Sequence, residues 1–218
     1  MTRQELIVAM EKEAHAILDG AASCHDWDHT LRVRNNAREL LLELPEADAL
    51  VVDTAVLLHD IGRPQEVASE GKLCHAQLGA KMARDILLSI GVEDTAFIAH
   101  VCDCIRTHRY RARQPELKPA TLEAQIVYDA DKLDSLGAVG LARSFHFASR
   151  IGARIHNTAE EALASESYSR EDTAYREYLV KLRYLKEKLL TSPGRARAEI
   201  LRRFMDDFFA EMNRECRF

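Results

Sequence analysis

A chain of 218 residues, 47% hydrophobic and 30% charged, can bury a substantial core and lies far from the composition of a disordered protein. Its net charge of -5 gives no basic footprint for a nucleic-acid backbone, so DNA and RNA are not expected partners. No stretch approaches the roughly 18 apolar residues of a membrane span, and Met1-Thr2-Arg3-Gln4-Glu5 leads into a charged helix; a cytoplasmic protein with no membrane partner is expected. The five cysteines, Cys24, Cys74, Cys102, Cys104 and Cys216, are odd in number and contain no C-x-x-C pair, which argues against a disulfide framework or a zinc ribbon and for buried free thiols.

Almost every long segment has helical periodicity and strand signals are nearly absent, so the expected fold class is all-α. The first helix runs from about Gln4 to Leu18, with Gly20 as its stop. Asp26 or Asp28 offers an N-cap to a second helix, which carries Leu31, Val33, Ala37, Leu40 and Leu41 and ends near Pro45. A third, Ala47 to Asp60, bears apolar runs that imply burial on most sides, until Gly62 and Pro64 break it. Arg63 to Lys72 reads as polar loop, followed by helices from about His75 to Ser89 and Asp94 to Thr107. A basic, proline-bearing loop, Arg109 to Pro119, reads as a lid or rim before the helix that holds Leu122, Ile126, Val127 and the acidic run at Asp129. Helix continues over Ser135 to Ser149, and Ile151 to Arg170 reads as the least ordered stretch. Two long helices, Thr173 to Leu190 and Arg195 to Glu215, finish the chain. A single domain, 1–218, is expected, with a core over about 20–150 and appended helices over about 170–218 that cover it or pair with a second copy as a homodimer.

His59-Asp60 closes an apolar run, where both side chains are costly to bury without a partner. With His29 upstream and Asp131 downstream they supply two imidazoles and two carboxylates, a shell that suits Mn, Fe, Co, Ni or Zn better than Ca. Neighbouring side chains diverge by about 100° on a helix, so His59 and Asp60 reach one ion only where the helix ends.

The strings His25-Asp26-Trp27-Asp28-His29-x-x-Arg32-Val33, Leu57-Leu58-His59-Asp60-Ile61-Gly62 and Asp129-Ala130-Asp131-Lys132-Leu133-Asp134-x-x-Gly137 resemble the HD-domain superfamily of metal-dependent phosphohydrolases. Within it they are similar to the YedJ-type predicted bacterial hydrolases. The resemblance runs from about residue 20 to the C-terminal helices. It implies an HD-domain helical bundle with additional C-terminal helices, and one divalent ion held by His29, His59, Asp60 and Asp131. Manganese is the first expectation, with Fe, Co, Ni, Zn or Mg as alternatives. Asp131 is taken over Asp129 and Asp134 because Ala130-Asp131-Lys132-Leu133 matches the family's last motif.

Other residues are less determined. His75 and His108 fall between the HD pair and Asp131, and three readings stay open: a second metal, contact with substrate phosphate, or a structural role. Asp134 and His25 are expected behind the ligands, His25 with a substrate role as the other option. Arg63 and Lys132, then Arg109 or Arg111, are the cations expected at phosphoryl oxygens. Glu66 reads either as an acid that orients water or relays a proton, or as a solvated loop carboxylate, the commoner case. His100 reads as structural and Trp27 as packing. The implied activity is attack of a metal-activated water on a small phosphorylated substrate, a nucleotide or nucleoside triphosphate above all. The alternatives are a dinuclear phosphodiesterase, although the Gly-Tyr-Pro signature of the cyclic-di-GMP group is absent, a non-catalytic metal- and nucleotide-binding module, or a di-iron oxygenase that would need both His75 and His108.

Overall fold

The computed structural model describes residues 2–19 and 25–217. The expectations for Gly20 as a helix stop and for the Cys24 thiol fall outside them. The described residues contain α-helices and two 3-10 segments and no strand, as the periodicity predicts. None of the helices is long and apolar enough to cross a membrane. By contact the chain divides into two compact units, 1–131 and 132–218, a division earlier in the chain than the 150–170 stretch.

The first unit is built around α3 (Ala49–Leu58), which packs against α1 (Arg3–Leu18), α2 (Trp27–Glu43), α5 (His75–Ser89) and α6 (Thr95–Thr107). Its apolar residues explain that position: Val51, Val52, Ala55, Val56, Leu57 and Leu58 are all buried, leaving no solvent face to the last two turns. Asp48 starts α3 by accepting the N–H groups of Leu50 and Val51, and Thr2 and Glu5 form a capping box on α1. Buried Arg34 of α2 pairs with Glu11 of α1 and, at 3.0 Å, with Asp53 of α3, so one guanidinium ties three helices together. Asn36 Nδ2 of α2 donates to the Ala130 carbonyl of α7 (Leu122–Leu133) at 3.1 Å, which holds the end of α7 beside α2.

Between α3 and α5 the expected polar loop is instead a short helix, α4 (Arg63–Ala68), with Pro64 in its first turn. Proline is tolerated there because the first N–H groups of a helix have no intrahelical partner. Gly62, just before α4, is where chain meets chain: a Cβ on it would lie 2.4 Å from the His75 carbonyl oxygen and 3.0 Å from the Gly79 nitrogen.

In the second unit, α8 (Gly137–Arg150), α9 (Ala159–Ala164), α10 (Ala174–Val180) and α11 (Ser192–Cys216) pack together. The stretch read as least ordered is held by polar bonds: Thr158 and Glu161 form a capping box on α9, Arg154 pairs with Glu161 and Glu171, and Asn157 accepts from Thr173 and donates to Glu171. Its small and polar composition supplies caps and cross-links. The expected helix Thr173 to Leu190 is also different: α10 stops at Val180 and a 3-10 segment covers Leu182–Lys188. Leu179, Leu182 and Leu185 are all buried at a spacing of three, which a 3-10 helix aligns on one side and an α-helix does not. α11 begins at Ser192 and not at the expected Arg195, so that Ser192-Pro193-Gly194 is its first turn, capped by Thr191. Cys104 is buried, whereas Cys216 is exposed, against the expectation for that thiol.

The Gly62 contact is with backbone, which cannot turn aside. Gly62→Ala is expected to destabilise the protein by about 2 kcal/mol or more, the usual scale of overpacking, as read by urea unfolding; a change near zero would show that α4 and α5 can separate freely.

Candidate metal centre

Every histidine of the centre stands at a helix end. His29 is in the first turn of α2, its N–H bonded to the Asp26 cap at 2.9 Å; His75 opens α5; His59 and His108 are the C-terminal caps of α3 and α6. Helix C-termini leave carbonyls without an intrahelical partner, and both caps use one. His59 Nδ1–H donates to the Val56 carbonyl at 2.7 Å and His108 Nδ1–H to the Ile105 carbonyl at 2.6 Å. His75 Nδ1–H donates to Glu66 Oε2 at 2.8 Å. Each bond fixes the tautomer and leaves the Nε2 lone pair aimed away from its own helix.

Those lone pairs converge on Asp60, which is 1% exposed. Its Oδ2 lies 3.6 Å from His29 Nε2 and 3.6 Å from His59 Nε2; Asp131 Oδ1 is 3.4 Å from the same His29 nitrogen. Asp60 Oδ1 lies 3.4 Å from His75 Nε2 and 3.6 Å from His108 Nε2. The carboxylate thus faces one histidine pair with each oxygen. Behind it, His25 Nδ1 bonds Oδ2 at 2.9 Å and Arg63 Nε bonds Oδ1 at 3.0 Å.

This donor set fits a metal. His75 Nε2 and His108 Nε2 are 3.2 Å apart, both on rings whose proton is on the other nitrogen, and both face a carboxylate oxygen. Two imidazole nitrogens and a carboxylate oxygen thus meet at one buried point, the kind of donor group that holds a divalent ion. His29, His59 and Asp131 form a second buried group of candidate ligand atoms, with His29 and His59 Nε2 3.3 Å apart.

The electrostatics agree. Burial pushes the His59 imidazole down to about 4, against the pull of Asp60. Burial likewise takes His75 to about 3, so both rings are neutral at pH 7, the form in which an imidazole can bind a metal. Burial would raise the Asp60 carboxyl, but His59 and Arg63 outweigh it and hold it well below the usual carboxylate range. Burial also opposes the ionised form of Glu66, yet the bond from His75 and the charges of Arg63 and Arg109 bring it down to about 2.

The structure therefore brings His29, His59, Asp60, Asp131, His75, His108, His25, Arg63 and Glu66 together. Glu66 is not a solvated loop carboxylate: it is 9% exposed, lies on α4 and accepts from His75, Arg63 (3.0 Å) and Arg109 (2.6 Å). Sequence reasoning missed this because a carboxylate in a polar stretch looks solvated until α4 folds it inward. The orienting carbonyls of Val56 and Ile105 were also missed; the signal was a histidine three residues after an aliphatic residue at the end of an apolar helix, twice. Lys132 follows Asp131 on α7 and is half-buried. Asp134 gives its Oδ2 to Arg143 at 2.6 Å within the second unit. His100 contacts Thr121 at 3.0 Å and Glu123 at 3.3 Å, and the Trp27 ring stands edge-on to His15, both packing roles as expected.

A family model described as the HD domain matches residues 26–136, just over half of the chain and the span that holds His29, His59, Asp60 and Asp131. The chain belongs to the HD-domain family. The uncharacterised protein YpgQ of Bacillus subtilis is 32% identical over 204 residues, covering 92% of this chain and 88% of YpgQ. The crystal structure of Bacillus subtilis YpgQ in complex with ADP is similar over 99% of this chain and 97% of that one, with a TM-score of 0.73 and 26% identity. An HD-superfamily hydrolase of Bacillus thuringiensis matches over 99% of both chains with a TM-score of 0.74 and 28% identity. This HD protein is accordingly a metal-dependent phosphohydrolase by class.

With both folded-state histidine pKa values below the ordinary 6.5, the unfolded chain takes up protons first as pH falls. The metal-stripped protein is expected to lose stability from about pH 6.5 down to 4, at about 1.4 kcal/mol per pH unit for each such group at most. Glu66, depressed from 4.5, extends the loss below that. Urea unfolding in chelator across pH 4 to 7.5 measures it; His59→Gln with His75→Gln should flatten the profile, and an unchanged slope would refute the assignment.

Proposed function

We propose that this HD protein hydrolyses a small phosphorylated substrate, a nucleotide or nucleoside triphosphate, at a centre that takes two divalent ions. The observation that carries the second ion is the convergence of His75 Nε2, His108 Nε2 and Asp60 Oδ1 at 3.2 to 3.6 Å from one another. His29, His59, Asp60 and Asp131 would hold one ion, and Asp60, His75 and His108 would hold the other. The reading in which His75 and His108 donate to substrate phosphate is disfavoured, because their Nδ1 protons are committed to Glu66 and the Ile105 carbonyl. Imidazole with carboxylate suits manganese, with Fe, Co, Ni and Zn close behind and Mg the poorest match to nitrogen.

Bound there, divalent ions polarise a phosphoryl oxygen and lower the pKa of water toward neutrality. The chain's own residues hold the geometry. His25 and Arg63 fix the plane of Asp60, so that each oxygen meets its own histidine pair. Glu66 holds the His75 ring and strengthens its lone pair, as carboxylates behind metal-bound histidines do. Arg63, expected at phosphoryl oxygens, has Nε on Asp60 and Nη1 on Glu66, and is reassigned to orienting these carboxylates. Lys132 is the proposed cation for phosphoryl oxygens on its motif alone. The complex of the YpgQ relative with ADP supports a nucleotide as the substrate class, and a cytoplasmic location goes with it.

Metal analysis of protein loaded with Mn²⁺ is expected to give two ions per chain, falling to about one in His75→Ala or His108→Ala; a single ion in the wild type, retained in both variants, would defeat the two-ion reading. Glu66→Gln is expected to weaken the second ion by about 10- to 100-fold, the usual cost of losing such a partner. Nucleoside mono-, di- and triphosphates with Mn²⁺, Mg²⁺, Co²⁺ or Ni²⁺ should release phosphate or pyrophosphate. Metal bound in full with no turnover across that panel would favour the binding module.

A further inference from the structure

Beyond the metal centre, the sharpest departure from the average charge of the protein is the loop between α6 and α7. The chain carries a net charge of -5, yet residues 109–118 hold Arg109, Arg111, Arg113 and Lys118 against one acid, Glu116. Arg109 is committed, with Nη1 on Glu66 Oε1 at 2.6 Å and 3.7 Å from Cys74 Sγ. Arg111 and Arg113 are exposed, and among the described residues neither has an ion-pair partner.

The loop that presents them is ordered. Tyr110 N–H bonds the Thr107 carbonyl at 2.9 Å, Gln114 N–H bonds the Arg111 carbonyl at 2.8 Å, and a 3-10 turn over Pro115–Leu117 leads to buried Pro119. The Tyr110 ring packs 6.0 Å from the ring of Tyr128, which is 3% exposed. The loop leaves directly from His108, and Arg109 at its start is bonded to the carboxylate that holds His75, which brings the arginines that follow to the edge of the centre; partial burial and repulsion from Arg109 and Arg113 lower the Arg111 guanidinium pKa, while Cys74 and Glu66 act the other way. Arg109, Arg111 and Arg113 repel one another, and a polyanion relieves that repulsion while matching the flat guanidinium fork in two-point contacts.

We propose that Arg111 and Arg113 form an anion subsite on the rim of the metal centre, that it takes the distal phosphates of a nucleoside triphosphate, and that it sets a preference for triphosphate over monophosphate. The assignment of substrate rests on the phosphohydrolase reading above; the subsite itself rests on the loop.

The test compares wild type with Arg111→Ala/Arg113→Ala, using the mono- and triphosphate of one nucleoside on metal-loaded protein at low and high salt. The expected result is that KM for the triphosphate rises about tenfold more than KM for the monophosphate, the scale of one lost charge-assisted contact. The salt dependence of triphosphate KM should flatten with it. Arg111→Lys/Arg113→Lys should keep most of that salt dependence, and Arg203→Ala, which removes an exposed arginine of α11, should keep all of it. A triphosphate-to-monophosphate KM ratio unchanged in the double alanine variant overturns the proposal. Calorimetric binding of a non-hydrolysable nucleoside triphosphate and of inorganic tripolyphosphate provides a readout without turnover. If the wild type hydrolyses no nucleotide but loses binding of both ligands on the double substitution, the substrate reading fails and the subsite stands. Equal binding by both proteins overturns the subsite, with or without turnover.

Discussion

A carboxylate shielded from water and faced by imidazole lone pairs on both oxygens governs this structure. Asp60 is 1% exposed and ionised, and three of the four rings that face it donate their Nδ1 protons elsewhere. His25 and Arg63 bond it from behind. So many polar groups crowd one buried carboxylate only because the surrounding fold is stable enough to impose it.

The fold imposes it through helix ends. A helix interior presents side chains on a cylinder, where neighbours diverge; a helix terminus offers unpaired backbone groups and a change of direction. By capping α3 and α6, His59 and His108 borrow the same backbone feature, the carbonyl three residues earlier, to set the same tautomer. Arg34 bonds α1 and α3 from α2, and Gly62 lets the turn after the HD pair lie directly against α5. These contacts fix distances between termini, which is what a site made of termini requires.

Much of this was legible in the sequence, and the reasons are physical. The all-α class followed from periodicity, since buried stripes such as Val51 to Leu58 have no other economical placement. The group of His29, His59, Asp60 and Asp131 followed from residue chemistry together with the family resemblance. The roles of His75 and His108 stayed open, because a tautomer depends on what the far nitrogen touches, and those partners, Glu66 and a carbonyl, are set only by the fold. Glu66 was misread for the same reason: its surroundings in sequence are polar, its surroundings in space are three cationic or N–H donors. The second unit misled at Leu182 to Lys188, where a spacing of three in buried leucines outweighed a generally helical composition. Ile151 to Arg170 misled in the opposite sense, since Asn157, Thr158 and Glu161 look like loop residues and act as its fastenings.

The wide separation of the donors along the chain bears on how the protein comes into being. His29 and His59 are 30 residues apart and His75 and His108 are 33 apart, with Asp131 beyond them all. No contiguous fragment short of residues 29–131 contains the full candidate donor set, so the set is not complete in a growing chain before Asp131 has been added. The group of Asp60, His75 and His108 is complete by residue 108, whereas that of His29, His59 and Asp131 waits for residue 131, so the two halves of the candidate centre are synthesised one after the other.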